Sequence, residues 1–204
     1  MSTAAVIAIV LGVVVVLAKS LGSQAYTLVL VPLILFAPPR LQVGFAAVLV
    51  VIAVSYPMLR QNDLIALDRI VAQAEAISPA RAHSLDFRFH NEEALLERAR
   101  EKPLFGWGGW GRNLVRDEED GRILSIPDGE WIILFGAFGW VGYISVMGLL
   151  ALPVVLLWRR SGRWAGDPVA LSLAPLAVIL GANMFDMLIN AIITPYTWLI
   201  AGAL

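Results

Sequence analysis

Cysteine is missing from this chain, which excludes a disulfide framework and a thiolate metal site together. Histidine is nearly missing too: His83 and His90 are the two imidazoles. Charged residues make up only 15% of the sequence and almost cancel, leaving a net charge of -1. That balance gives no reason to expect nucleic acid or an acidic polymer as partner. The start, Met-Ser-Thr and then an apolar run, lacks a basic n-region and a clear small-residue cleavage site. It is read as a retained first span, not a cleaved signal peptide. What the chain has in quantity is apolar residues, 59% of the total, in long uncharged runs. Such runs define the membrane class.

A helix rises about 1.5 Å per residue and needs about 20 apolar residues to cross a bilayer. On that measure the runs 3–18, 21–38, 41–59, 131–158, 168–185 and 187–204 are candidate spans, the first two short enough to form a tilted hairpin. The sixth runs off the C-terminus without a closing charge, as a truncated chain or an interfacial helix end would. The expected fold is all-α: a polytopic transmembrane bundle of about six spans with one long external loop containing amphipathic helices. Three blocks result, with membrane-embedded residues 1–59 and 129–204 on either side of a polar loop, 60–128. Basic residues orient it: Arg40 and the cluster Arg159, Arg160 and Arg163 flank the side expected to be cytoplasmic, against a lone Lys19. Trp131 at one end of the fourth span and Trp158 and Trp164 near the other fit an aromatic belt. Gly136, Gly139 and Gly142 recur every third residue, a spacing suited to close helix packing.

The loop holds 23 of the chain's 31 charged residues. Residues 63–77 predict an amphipathic helix whose apolar face is Leu64, Leu67, Val71, Ala74 and Ile77, ended by Ser78-Pro79. A second helix is expected over about 85–101, with Ser84 as N-cap and Pro103 beyond its end. Its stripe Leu85, Phe89, Leu96 and Ala99 is interrupted by Glu92, and Arg88 stands four residues earlier, within reach. That pair is either a surface ion pair or a charged pair at the floor of a cleft. Pro103-Leu-Phe-Gly-Trp-Gly-Gly-Trp-Gly-Arg112 follows, too glycine-rich for a helix. It is a structural turn, or a place where Trp107 and Trp110 stack on a sugar ring or sit at the membrane interface while Arg112 binds phosphate. It is not a P-loop, since no Lys-Ser/Thr follows the glycines. Asp117-Glu-Glu-Asp120 reads as a solvated loop tip or a cation site, although contiguous acids lack the alternate spacing of a cation loop. Asp128, where the chain re-enters the membrane, is either a helix N-cap or a carboxylate desolvated toward the range of a general base.

Taken together these motifs resemble the bacterial O-antigen ligase and polymerase family. The resemblance is carried by Arg88, Asn91-Glu92, Ala99-x-x-x-Pro103-Leu-x-Gly-Trp-Gly, Asp128-Gly-x-Trp and Gly139-x-x-Gly142. It covers about residues 80–204; the earlier spans match in hydropathy alone. Such proteins have about twice as many spans, so the resemblance implies a C-terminal half with a further N-terminal membrane block. It also implies an inner-membrane glycosyltransferase without cofactor or metal. The donor is a glycan linked to polyprenyl diphosphate, and the acceptor a glycan or glycolipid on the periplasmic side. Loop arginines are then expected on the diphosphate, Arg88 and Arg112 first and Arg81 and Arg116 after them, because guanidinium groups bind phosphate oxygens in a fork. Ligases of the family commonly carry a His-Asn type motif where this chain has Asp128-Gly129, so Asp128 is the expected base, with His90 as the other candidate. Glu92, Trp107 and Trp110 are expected to line the sugar cleft. Asn183, Asp186 and Asn190 share one face of the late spans; Asp186 either lines the acceptor groove or forms a buried polar clasp. A truncated or non-catalytic membrane paralogue, acting as an assembly partner, is the competing expectation.

Overall fold

The computed structural model describes residues 3–163 and 168–204; Trp164 and the side chains of Arg81 and Arg163 lie outside the described residues. Among the described residues the protein is helical and contains no strand, with one isolated bridge between Arg116 and Ile123. The helices are α1 (Thr3–Leu17), α2 (Leu21–Phe36), α3 (Pro39–Gln61), α4 (Leu67–Ile77), α5 (Pro79–Arg100), α6 (Glu130–Arg160), α7 (Pro168–Asp186) and α8 (Pro195–Ala203).

Three of them, α3, α6 and α7, are long and apolar enough to cross a membrane. The apolar runs predict six spans, but α1 and α2, with 15 and 16 residues, fall short of the usual crossing length of about 20. The expected sixth span is not one helix. Residues 187–194 leave the helical conformation, and α8 has nine residues starting at Pro195. Proline lacks the N–H a continuing helix needs and is tolerated at the first helical position, where it stands here. Pro38-Pro39 ends α2 for a related reason, and the buried Gln42 side chain donates to the Ile34 and Ala37 carbonyls left at that end.

The core lies where α3 packs on α7 and α6. A Cβ on Gly181 would press on the backbone of Ala46, so α3 and α7 approach through small residues. Tyr143 of α6 is buried in this core and donates to the Ala53 carbonyl of α3 at 2.8 Å.

Between α3 and α6 the polar segment forms two packed helices. α4 begins at Leu67, later than its pattern suggests; Leu67, Val71 and Ala74 are half-buried while Leu64 is exposed. α5 begins at Pro79, with Ser78 before it, so Ser84 lies inside the helix and caps nothing. The predicted apolar stripe is real at its C-terminal end, where Leu96 and Ala99 are buried with Leu95.

The expected role of the glycine triplet needs correction. Gly139 has φ 63° and ψ -163° and breaks α6 in two. In an unbroken helix the amides of Trp140 and Val141 would donate to the carbonyls of Gly136 and Ala137. Instead the Pro103–Gly108 turn takes up all four groups. Trp107 and Gly108 donate to the Gly136 and Ala137 carbonyls at 2.9 and 2.8 Å, and Trp140 and Val141 donate to the Pro103 and Leu104 carbonyls at 2.8 and 3.1 Å. The turn is spliced into the helix ladder. Side chains at Gly106 or Gly139 would collide with the opposing backbone, which explains glycine at both.

Candidate functional site

A cluster of hydrogen-bonded polar side chains sits where α3, α5 and α6 meet. Arg60, at the end of the apolar α3, is almost fully buried. Its Nε lies 2.6 Å from Glu92 Oε1, and its Nη2 donates to Glu93 Oε2 at 2.9 Å. Tyr56 donates to Glu92 Oε1 at 3.2 Å, and the Trp131 indole N–H donates to Glu92 Oε2 at 3.2 Å. The Tyr56 and Trp131 rings meet edge to face, with centroids 5.2 Å apart. Burial pushes the Glu92 carboxyl above the ordinary carboxylate range, while Arg60, Trp131 and Tyr56 pull against that rise. The sequence pairs Glu92 with Arg88 by helical spacing; the structure pairs it with Arg60. A guanidinium buried in a low-dielectric site requires a counter-charge, and Glu92 is the acid that α5 turns toward α3.

Arg88 is thereby left for another partner. Its Nε is 3.5 Å from Asp128 Oδ2, and its Nη1 donates to the Ile189 carbonyl at 3.2 Å. These groups line a narrow cleft, with Glu92, Phe89 and Ile132 among its walls and the non-helical segment after α7, Leu188 and Ile189, closing one side. Asn91 fixes the returning chain by accepting from the Ile126 N–H at 2.8 Å. Gly129, not Asp128, is the N-cap residue of α6, and no side chain caps it, so Asp128 is free of a capping bond and faces the cleft. The Glu130 and Trp131 amides donate to the carbonyls of Asn190 and Met187. The start of α6 is thus tied to the end of α7 around the cleft.

The other expected site residues lie elsewhere. Arg112 and Arg116 line a wider groove of about 700 Å³ with Arg98 and Trp107. They do not join Arg88. Arg112 donates to the Gly109 carbonyl and Arg116 to the Gly121 carbonyl. Trp107 is occupied: Arg98 stands over its ring at 3.4 Å, Lys102 at 3.9 Å, and its N–H donates to the Arg98 carbonyl at 2.7 Å. Trp110 is 98% exposed. His90 is exposed, and its Nδ1–H donates to its own helix at the Asp86 carbonyl, 2.9 Å away. It borders a third hollow with Asp68 and Glu93, apart from Asp128. Asp186 accepts from Tyr26 at 2.9 Å and from Asn190 at 3.0 Å, the arrangement of a polar clasp between α2 and α7. Asp117 and Asp120 accept from the Glu119 and Arg122 amides and so shape a tight turn. Among the described residues no group of three or more His, Asp or Glu is placed to hold a metal ion.

The sequence reading passes over Arg60, Tyr56 and the Ile189 carbonyl. Arg60 carries one available signal: a lone charge closing an apolar run, one helical turn beyond a tyrosine. No protein-family model matches this chain, and no curated protein or solved structure matches it.

Proposed function

We propose that this protein is a membrane glycosyltransferase of the O-antigen ligase or polymerase kind. In this reading it moves a glycan from a polyprenyl-diphosphate carrier to an acceptor sugar on the periplasmic face of a bacterial inner membrane. One observation carries the reading: Arg88 and Asp128, from different segments, pair in the wall of a narrow cleft of about 20 Å³ at the end of an apolar helix bundle. A guanidinium and a carboxylate are the two groups such a transfer needs. Arg88 is shared between Asp128 and the Ile189 carbonyl. A diphosphate competes for that guanidinium through charge-assisted hydrogen bonds and releases the carboxylate. Asp128 then takes the proton of the acceptor hydroxyl, whose oxygen attacks the anomeric carbon. The bond from that carbon to the diphosphate oxygen breaks, and the diphosphate leaves with the electron pair. The groove with Arg112 and Arg116, which Glu97, Glu101, Asp117 and Glu118 also line, is available to a saccharide part of a ligand.

The test is transfer from a polyprenyl-diphosphate glycan in vesicles containing the full chain. Arg88→Ala and Asp128→Asn should each lower the rate by at least about 100-fold, the usual size of a general acid–base contribution, without loss of insertion. Transfer retained in both variants, or absent from the unaltered chain, rejects the reading.

A second reading, a non-catalytic assembly partner, is favoured by α1 and α2, in which no described side chain is buried. Stable co-purification with another membrane protein, without turnover of the donor, would support it.

A further inference from the structure

The break in α6 has a bearing on where the bilayer surface lies. Residues 140–160 rise about 31 Å at about 1.5 Å per residue, close to the hydrocarbon thickness of about 30 Å. The whole of α6 would rise about 46 Å, too long for an upright crossing. Two other helices set the same level. α7, with 19 residues, climbs about 28 Å to Asp186. Tyr143, just past the break, is bonded to Ala53 of α3, about 21 Å above the start of that helix. From Tyr143 back to Trp131 a straight helix would climb a further 18 Å or about that, yet Trp131 meets Tyr56, one turn beyond Ala53. Residues 130–138 therefore lean across the bundle end and do not continue the crossing.

The turn spliced into this break lies level with the start of the second half of α6, the Val141 amide donating to the Leu104 carbonyl. At this depth two large apolar side chains are uncovered: Leu104 is 60% and Phe105 73% exposed. They adjoin Phe138, Val141 and Ile144, which begin the exposed apolar face that α6 carries along its length. Lys102 stands at the start of the turn and Trp110 at its far end, the residue types favoured at headgroup level.

We propose that the Leu104–Phe105 turn is a bilayer anchor. Its two side chains enter the lipid interface beside Val141, on the loop side, while residues 130–138 and the Arg88–Asp128 cleft stay above the hydrocarbon. The occupant is phospholipid, because the patch is continuous with the face that a membrane-crossing helix turns to lipid. This inference rests on the membrane-crossing reading alone and is independent of glycosyl transfer.

The cysteine-free chain allows a direct test. Single variants Phe105→Cys, Leu149→Cys and Glu118→Cys carry a small fluorophore in phosphatidylcholine vesicles. Quenching is measured with aqueous iodide and with nitroxide lipids labelled near the headgroup or deep in the acyl chain. Leu149→Cys should respond to the deep nitroxide and Glu118→Cys to iodide. Phe105→Cys should lose fluorescence to the shallow nitroxide and resist iodide. The anchor is overturned if position 105 follows position 118. It is also overturned if 105 is shielded from both quenchers and cross-links to a second copy. Iodide quenching at 149 would instead reject the crossing by α6, and with it the premise of the anchor.

Discussion

Arg60 and Glu92 form an ion pair 2.6 Å long in which the arginine side chain is 3% and the glutamate side chain 11% exposed. Removing one partner strands the other charge out of water. Glu92→Ala should cost about 3 kcal/mol, the lower end for a broken buried pair, because Glu93 still reaches Arg60. The check is the thermal midpoint in detergent. Arg60→Met combined with Glu92→Met should cost less than Glu92→Ala alone, since neither charge is left stranded. A double variant less stable than both singles would mean that the pair itself adds net stability.

The same carboxyl gives a pH dependence. Burial raises its folded-state pKa, so between the ordinary glutamate value of about 4.3 and the raised value the folded protein holds more protons than the unfolded chain. Stability should fall as pH rises through that window and then level off. The difference in unfolding midpoint between the unaltered chain and Glu92→Gln, followed against pH, isolates this contribution from the other carboxylates. A difference that is flat across the window contradicts the raised value.

Arg88 and Asp128 make the opposite kind of pair. Both are more than a third exposed or nearly so, and an ion pair of that kind is worth under about 1 kcal/mol. Reversing it, Arg88→Asp with Asp128→Arg, should leave the unfolding midpoint nearly unchanged while transfer stays lost. Restored transfer would mean that the pair serves only structure. His90→Ala should leave both stability and transfer intact, because the ring is exposed and bonded to its own helix. Loss of transfer in that variant would move the base from Asp128 to His90.

Gly139→Ala should release the turn from α6. An alanine there must hold a positive-φ, extended backbone that is essentially glycine's alone, at about 1–3 kcal/mol, and must also push the turn away. Faster proteolysis between Pro103 and Arg112 is the readout. Gly148→Ala on the same helix meets nothing within 4 Å and should be neutral or slightly stabilising. Equal proteolysis in both variants would show that the splice contributes little.

The apolar runs of α3, α6 and α7 are legible in the sequence because burial in lipid and burial in protein select the same residues. The amphipathic α4 is legible for its period, and Leu67, Val71 and Ala74 do turn inward. Helix ends are less so: Pro79 looks like a terminator of α4 and is also the first residue of α5. The break at Gly139 is hidden because hydropathy runs on unchanged through it, and a positive φ leaves no mark beyond a glycine among other glycines. The partners of Glu92 could not be read by spacing. Helical periodicity reports neighbours on one helix, whereas Arg60 and Trp131 arrive from two others. Arg88 and Asp128 were each visible as candidates, but their meeting depends on Asn91 and the chain after α7. The resemblance and the fit of guanidinium to phosphate group Arg112 and Arg116 with Arg88, and the turn after Pro103 carries them to a different groove.

The four hydrogen bonds at Gly139 also order events during synthesis. The Pro103–Gly108 stretch leaves the ribosome before the carbonyls of Gly136 and Ala137 exist. It has to wait, unengaged, until the following helix emerges beside it. Until the turn seats, the Trp140 and Val141 amides have the Gly136 and Ala137 carbonyls as their alternative partners within an unbroken helix. Seating the turn therefore exchanges two bonds within one helix for four between two segments, and the earlier-made piece completes the later one.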